Sequence, residues 1–166
     1  MPTAQTAALP SDALLQGYVK TGAYTDCYSV KLDQSVSLAE FMAAFYTTPI
    51  FKLERWLLAR ALGLPSKDQD AQALASGEVS NFSAWQVEAR NHNQIVLAFG
   101  RTRSWLMVHP QSPSVDNTTV LFFGSAVVPR TRAGLGWQFT AFHGFHKLYS
   151  QILLGSAANK LSRGGA

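Results

Sequence analysis

The sequence predicts an α+β layer fold, and three observations carry that prediction. One strand-like stretch near residue 24 is followed by two helical stretches. Four segments of alternating hydrophobicity then come in a row, joined by short turns. A long amphipathic stretch without proline closes the chain. Strands and helices that come in separate runs, rather than in alternation, favour an antiparallel sheet with helices on it.

The elements follow in order. Residues 1–20 are small, polar and proline-marked, which predicts a loose lead-in. "YTDCYSVKL" (24–32) sets Tyr24, Asp26, Tyr28 and Val30 on one face and Thr25, Cys27, Ser29 and Lys31 on the other. Its β-branched and aromatic content reads as a strand. Ser37 and Glu40 then stand at capping-box spacing, each side chain able to satisfy an amide of the opening turn. Phe41, Ala44 and Phe45 continue that helix on one face, and "TTP" (47–49) stops it. Thr48 and Pro49 open a second helix, because the first helical position needs no N–H. Ile50, Leu53, Trp56, Leu57 and Ala61 give this helix an apolar stripe, and Gly63 and Pro65 end it. "SKDQDAQALASGE" (66–78) is polar and predicts a loop holding a short helix.

From Asn81 the period becomes two. "NFSAWQVEAR" (81–90) predicts one strand, "NHN" (91–93) a tight turn, and "QIVLAFG" (94–100) the returning strand. "RSWLMVH" (103–109) is the next strand. Trp105/Met107 and Leu106/Val108 compete there for the core, so both faces are candidates for cover. "PQSPSVDN" (110–117) is a loop, and "TTVLFFGSAVV" (118–128) a long strand with a bend or bulge expected at Gly124. Residues 133–160 contain no proline. Phe142, Phe145, Leu148, Tyr149 and Ile152 form one stripe there, read as a helix lying on the sheet. One domain is expected over 21–160, with a tail at 161–166.

Bulk properties remove several function classes. The chain has 166 residues, 47% of them hydrophobic and 14% charged, enough for one real core without disulfides. The net charge of +4 is spread from Lys20 to Arg163, with only Arg101/Arg103 and Arg130/Arg132 clustering, so no nucleic-acid partner is expected. Cys27 is the single cysteine; it excludes an intramolecular disulfide and a cysteine-type zinc site. A reducing, cytoplasmic setting follows as the default. No apolar run is long enough to span a membrane, and "MPTAQTAALPSDALL" lacks the basic start of a signal peptide.

The element order, with "YTDCYSV", "RSWLMV" and "FHGFHKLYSQILL", resembles the helix-grip fold of the START / polyketide-cyclase / pollen-allergen superfamily, and within it an uncharacterised bacterial branch. The resemblance covers most of residues 20–160. It implies a curved antiparallel sheet wrapped on the long C-terminal helix, two short helices after the first strand, and a cavity for an apolar small molecule. Members of the branch occur alone or fused to a nucleotide-binding reductase domain. The resemblance carries no catalytic residue over. Gly134-Leu135-Gly136 lacks the third glycine of a dinucleotide fingerprint, so no such cofactor is expected.

Each candidate site competes with plain packing. His143 and His146 lie three apart on a helix, but no acidic residue stands between 117 and 166, so no metal site is expected. His146 reads as a core histidine or a polar point of a pocket; His109 ends a strand, and His92 sits in a turn. These make His146 and His109 the candidates for acid–base work. Arg103 shares a strand face with Trp105 and can stack while offering a fork to an anion. Arg130 and Arg132 precede the last helix as a hint of an anion site. Asp26, between Tyr24 and Tyr28, becomes an acid needing a partner if that face points inward. Glu88 is expected on the solvated side.

The expected function is binding of an apolar or amphipathic small molecule between sheet and C-terminal helix. Arg103, His146 and Tyr149 supply polar contacts, and Trp85, Trp105 and Phe142 the walls. The alternatives are a cyclase-, dehydratase- or hydrolase-like enzyme using a cavity histidine, and an interaction module docking on a reductase or on itself as a homodimer.

Overall fold

The computed structural model describes residues 2–110, 117–129 and 137–164, with side chains described except at 58, 62 and 137–146. Among these residues seven strands form one curved antiparallel sheet in the order β1-β2-β7-β6-β5-β4-β3. The strands are β1 (Gln5–Thr6), β2 (Tyr24–Leu32), β3 (Asn81–Phe82), β4 (Trp85–Arg90), β5 (Gln94–Phe99), β6 (Thr102–Pro110) and β7 (Thr119–Val127). The helices are α1 (Gln16–Lys20), α2 (Leu38–Tyr46), α3 (Pro49–Leu62), α4 (Asp68–Ser76) and α5 (Trp137–Gly164).

The local signals act as their chemistry requires. Ser37 and Glu40 close a capping box on α2, with Glu40 donating its N–H to Ser37 and accepting the N–H of Ser37 in return. Thr48 caps α3 ahead of Pro49, and Gly63 ends it in the left-handed conformation at φ 67°. Asn91 Oδ1 accepts the amides of Asn93 and Gln94 and so sets the β4–β5 turn. The short helix expected within 66–78 is α4, which packs on α2 and buries Ala71, Leu74 and Ala75.

Four expectations are corrected. Residues 81–90 are not one strand: Ser83 takes φ 53°, and the chain reverses there so that Phe82 pairs with Trp85. Both rings then fall on the same side, which a continuous strand forbids. Gly124 makes no bulge, because the register runs regularly from Tyr24↔Val127 to Leu32↔Thr119. It is instead a seat for the Trp105 ring, whose Cε3 would lie 2.9 Å from an added Cβ.

The apolar stripes of α3 and α5 meet the core only in part: Ile50 and Tyr149 pack against it, while the stripes' other described large side chains do not. Helix α3 buries Phe51 and Arg55 and exposes Leu53, Trp56 and Leu57. Helix α5 buries Ser150, Leu153, Leu154, Ala157 and Ala158 and exposes Leu148 and Ile152; the Phe142 and Phe145 side chains lie outside the described residues.

The stretch 1–20, expected as a loose lead-in, includes segments packed on the protein among its described residues, 2–20. Strand β1 pairs with β2, and the Ala7 N–H is bonded to the Cys27 carbonyl. Ala13 and Leu15 are buried with Cys27, Val96, Trp105, Met107 and Ala126. The sheet is therefore covered on both faces. Tyr28, Val30, Ile95, Leu97, Leu106, Val108, Leu121 and Phe123 meet α2, α4 and α5 on one side, while residues 7–18 lie on the other. That settles the strand at 103–109: Trp105/Met107 and Leu106/Val108 are all buried, under different layers.

Candidate functional site

Strand periodicity fixes which candidates can meet. Tyr24, Asp26 and Tyr28 share the α5-facing side of β2, and antiparallel pairing sets Asp26 opposite Ser125, which is itself opposite Ser104 of β6. A band of polar groups therefore crosses three strands near the Tyr24 end of β2. Asp26 Oδ1 accepts the Ser125 N–H at 2.8 Å and its hydroxyl at 2.7 Å. Asp26 Oδ2 faces the hydroxyls of Tyr24 and Tyr28 at 3.3 and 3.4 Å, the outer edge of hydrogen-bond range. Tyr24 and Asp26 are half-buried, whereas Tyr28 and Ser125 are buried.

The helices bring further polar groups to this layer. Tyr46 of α2 is buried in a ring cluster with Phe45, Phe51 and Phe82. On α5, Tyr149 donates its hydroxyl to Glu54 of α3. Two buried polar atoms, Trp85 Nε1 and Ser150 Oγ, have no hydrogen-bond partner among the described residues, while the buried Tyr46 hydroxyl lies beside Ser104. Leaving such a group unpaired costs about 1–3 kcal/mol.

Burial, reinforced by the Asp26 charge, raises the pKa of Tyr24 and Tyr28 well above the ordinary phenol value. Burial also raises Tyr46, and burial with the Glu54 charge raises Tyr149. All four phenols thus stay protonated at neutral pH and act as hydrogen-bond donors. Cys27, on the other face of β2, is buried, and its thiol is pushed up to about 12 first by that burial and then by Asp26. It is an inert thiol.

The residues expected to line one pocket are divided between the two faces. Arg103 and Trp105 do not face α5. Trp105 is fully buried under residues 7–18, and its Nε1 donates to Gln94 Oε1 at 2.9 Å. The same Gln94 oxygen accepts the Leu14 amide, and Gln94 Nε2 donates to the Asp12 carbonyl. Arg103 is a clasp: its Nε donates to Tyr18 Oη at 2.8 Å and pairs with Glu88 Oε2 at 2.7 Å, and its guanidinium lies over the Tyr18 ring. Glu88 reaches it from the exposed end of β4, beside the register shift between Val87 and Ala89. These side chains hold the N-terminal segment on the sheet.

Trp85 and Tyr149 do lie on the α5 side, Trp85 near the sheet edge with its ring 5.7 Å from Phe99. His109 is exposed at the end of β6, far from a role in an interior site. The side chains of Phe142 and His146, and residues Arg130 and Arg132, lie outside the described residues.

The sequence reading found Asp26 and its two tyrosines but missed Ser125, Ser104, Tyr46 and Glu54. The serines were detectable only through strand pairing across 99 residues. Tyr46 had a local signal, an aromatic at the end of a capped helix. Among the described residues no group of three or more histidine, cysteine or acidic side chains is placed to hold a metal. The chain matches no protein-family model, no curated protein and no solved structure.

Proposed function

We propose that the protein binds a small, largely apolar molecule between the sheet and α5, in the manner of a helix-grip fold, with the ligand's polar end on the Asp26 cluster. The observation that carries this reading is a half-buried carboxylate, Asp26, on the sheet face that packs against the helices. A carboxylate there adds nothing to packing, and desolvating it opposes folding unless hydrogen bonds compensate. Ser125 holds one oxygen with two short bonds, while the bonds from Tyr24 and Tyr28 to the other are long. We place the ligand's hydroxyl, amide or ammonium on this carboxylate. The protonated phenols of Tyr24 and Tyr28 supply matching donors. Trp85, Tyr149 and α5 provide the apolar walls.

The test is native mass spectrometry of freshly purified protein, then solvent extraction of whatever it releases. A stoichiometric small molecule is expected, and Asp26→Asn is expected to weaken its binding by about tenfold, the effect of one charge-assisted hydrogen bond. Empty wild-type protein that also binds nothing from a panel of amphipathic alcohols and amines would refute the reading.

A second reading, an acid–base enzyme, is favoured by one feature. Asp26 is fixed through Oδ1 while Oδ2 points at two phenols, so a substrate proton could pass to Oδ2 with a tyrosine as donor. In that case Asp26→Asn abolishes turnover of the extracted molecule while leaving its binding largely intact.

A further inference from the structure

We propose that the exposed face formed by α3 and α5 docks on an anionic lipid bilayer. The inference does not depend on the interior site. The five most exposed large apolar side chains among the described residues all belong to these two helices: Leu53 (58%), Trp56 (57%), Leu57 (53%), Leu148 (57%) and Ile152 (48%). On α3 the spacing 49, 53, 56, 57 makes one solvent-facing stripe; on α5 Leu148 and Ile152 lie one turn apart. The helices adjoin. Tyr149 donates to Glu54, and Pro49 walls an open groove of about 860 Å³ together with Leu148 and Ile152. Ordinary amphipathic helices turn such stripes inward. Here Leu53, Trp56 and Leu57 of one helix and Leu148 and Ile152 of the other are turned outward and meet on one surface.

The charges around this surface decide its occupant. Lys52, Arg60, Lys147, Lys160 and Arg163 are exposed on the same two helices. Their acidic residue is Glu54, which is occupied by Tyr149, and α5 contains none. Lys52 is paired with Asp68 at 2.6 Å, so the other four carry most of the free positive potential. Arg60 lies over the Trp56 ring, 5.9 Å from its centroid. A second copy docked here would set cations against cations. An apolar stripe of leucines with a tryptophan, rimmed by lysine and arginine, matches instead the layered chemistry of a bilayer surface: acyl boundary beneath, phosphate and carboxylate headgroups above. No helix of the described residues is long and apolar enough to cross the membrane, so the mode is attachment to its surface.

The test is co-sedimentation of the full chain with phosphatidylcholine vesicles, plain or carrying roughly one-quarter phosphatidylserine. The wild type is expected on the phosphatidylserine vesicles, with binding that falls as salt rises to about 0.5 M. The double substitution W56A/L57S is expected to lower partitioning at least about tenfold. Arg60→Gln and Lys147→Gln should each lower it by about fivefold. These positions are exposed, so the variants should melt like the wild type. Failure of the wild type to bind phosphatidylserine vesicles, or W56A/L57S binding as well as wild type, would overturn the proposal. So would a dimer, seen by sedimentation velocity without lipid, that W56A/L57S disperses; the face would then belong to a second copy.

Discussion

Gly124 offers the sharpest test of how the sheet is packed. It lies on β7 opposite Cys27 on one side and Trp105 on the other. A Cβ at this position would stand 2.6 Å from the Asp26 carbonyl oxygen, 2.9 Å from Trp105 Cε3 and 3.1 Å from Leu15 Cδ1. Carbon–carbon contacts ordinarily sit at about 3.5–4.0 Å. The nearest atom is backbone, so β2 and β7 would have to part. The next belongs to a fully buried indole that is anchored through Gln94. Overpacking of this kind costs about 1–3 kcal/mol, and a backbone conflict places Gly124→Ala near the upper end. Alanine otherwise gains about 0.5–1 kcal/mol over glycine within a strand. The net loss is about 2 kcal/mol, or a fall in Tm of roughly 4–8 °C for a domain of this size. Calorimetry and urea denaturation measure it directly. A variant that melts at or above the wild-type temperature would show that Trp105 does not sit against β7 as described, and the account of the second layer would fall with it.

Two further outcomes follow from the same geometry. Cys27, Tyr24 and Tyr28 all have folded-state pKa values raised by burial, so the unfolded chain loses these protons first as pH rises. Their contribution to stability is complete below about pH 7.5, before the unfolded thiol begins to ionise, and is lost progressively as pH climbs towards the folded Cys27 value of about 12. Urea midpoints at about pH 7, 9 and 10.5 should decline in that order, and Cys27→Ala should flatten the first part of the decline; an unchanged midpoint up to about pH 10.5 would contradict the burial. Arg103→Ala removes the ion pair with Glu88 and the bond to Tyr18, an expected loss of about 1–2 kcal/mol after discounting for the partial exposure of Glu88. Amide exchange in 13–19 should quicken, while any ligand bound on the α5 side should keep its affinity. Unchanged exchange would mean that Ala13 and Leu15 alone hold the segment.

What the sequence made legible was local, and what it hid was orientation. The capping box at Ser37/Glu40, the Thr48-Pro49 start and the Gly63 stop work through neighbours a few residues away, so they could be read directly. The strand at 24–32 could be read for the same reason. A stripe such as Leu53/Trp56/Leu57 says only that a helix has an apolar side; whether that side meets the sheet depends on where neighbouring elements lie. Helix α3 is anchored instead by Phe51 and by Arg55, which bonds Asp68, the Tyr46 carbonyl and Ser66. An arginine committed to three partners can outweigh a stripe of leucines in setting how a helix is rotated. The double cover of the sheet did leave a trace: "RSWLMVH" is apolar on both of its faces, and a strand of that kind needs a layer on each side. The helices supply one. The other had to come from a stretch not yet assigned, and Ala13-Leu14-Leu15 were the apolar residues left for it. Arg103 and Trp105 share the face that this segment covers, and Asp26, on the opposite face of its strand from Cys27, lies on the side of α5.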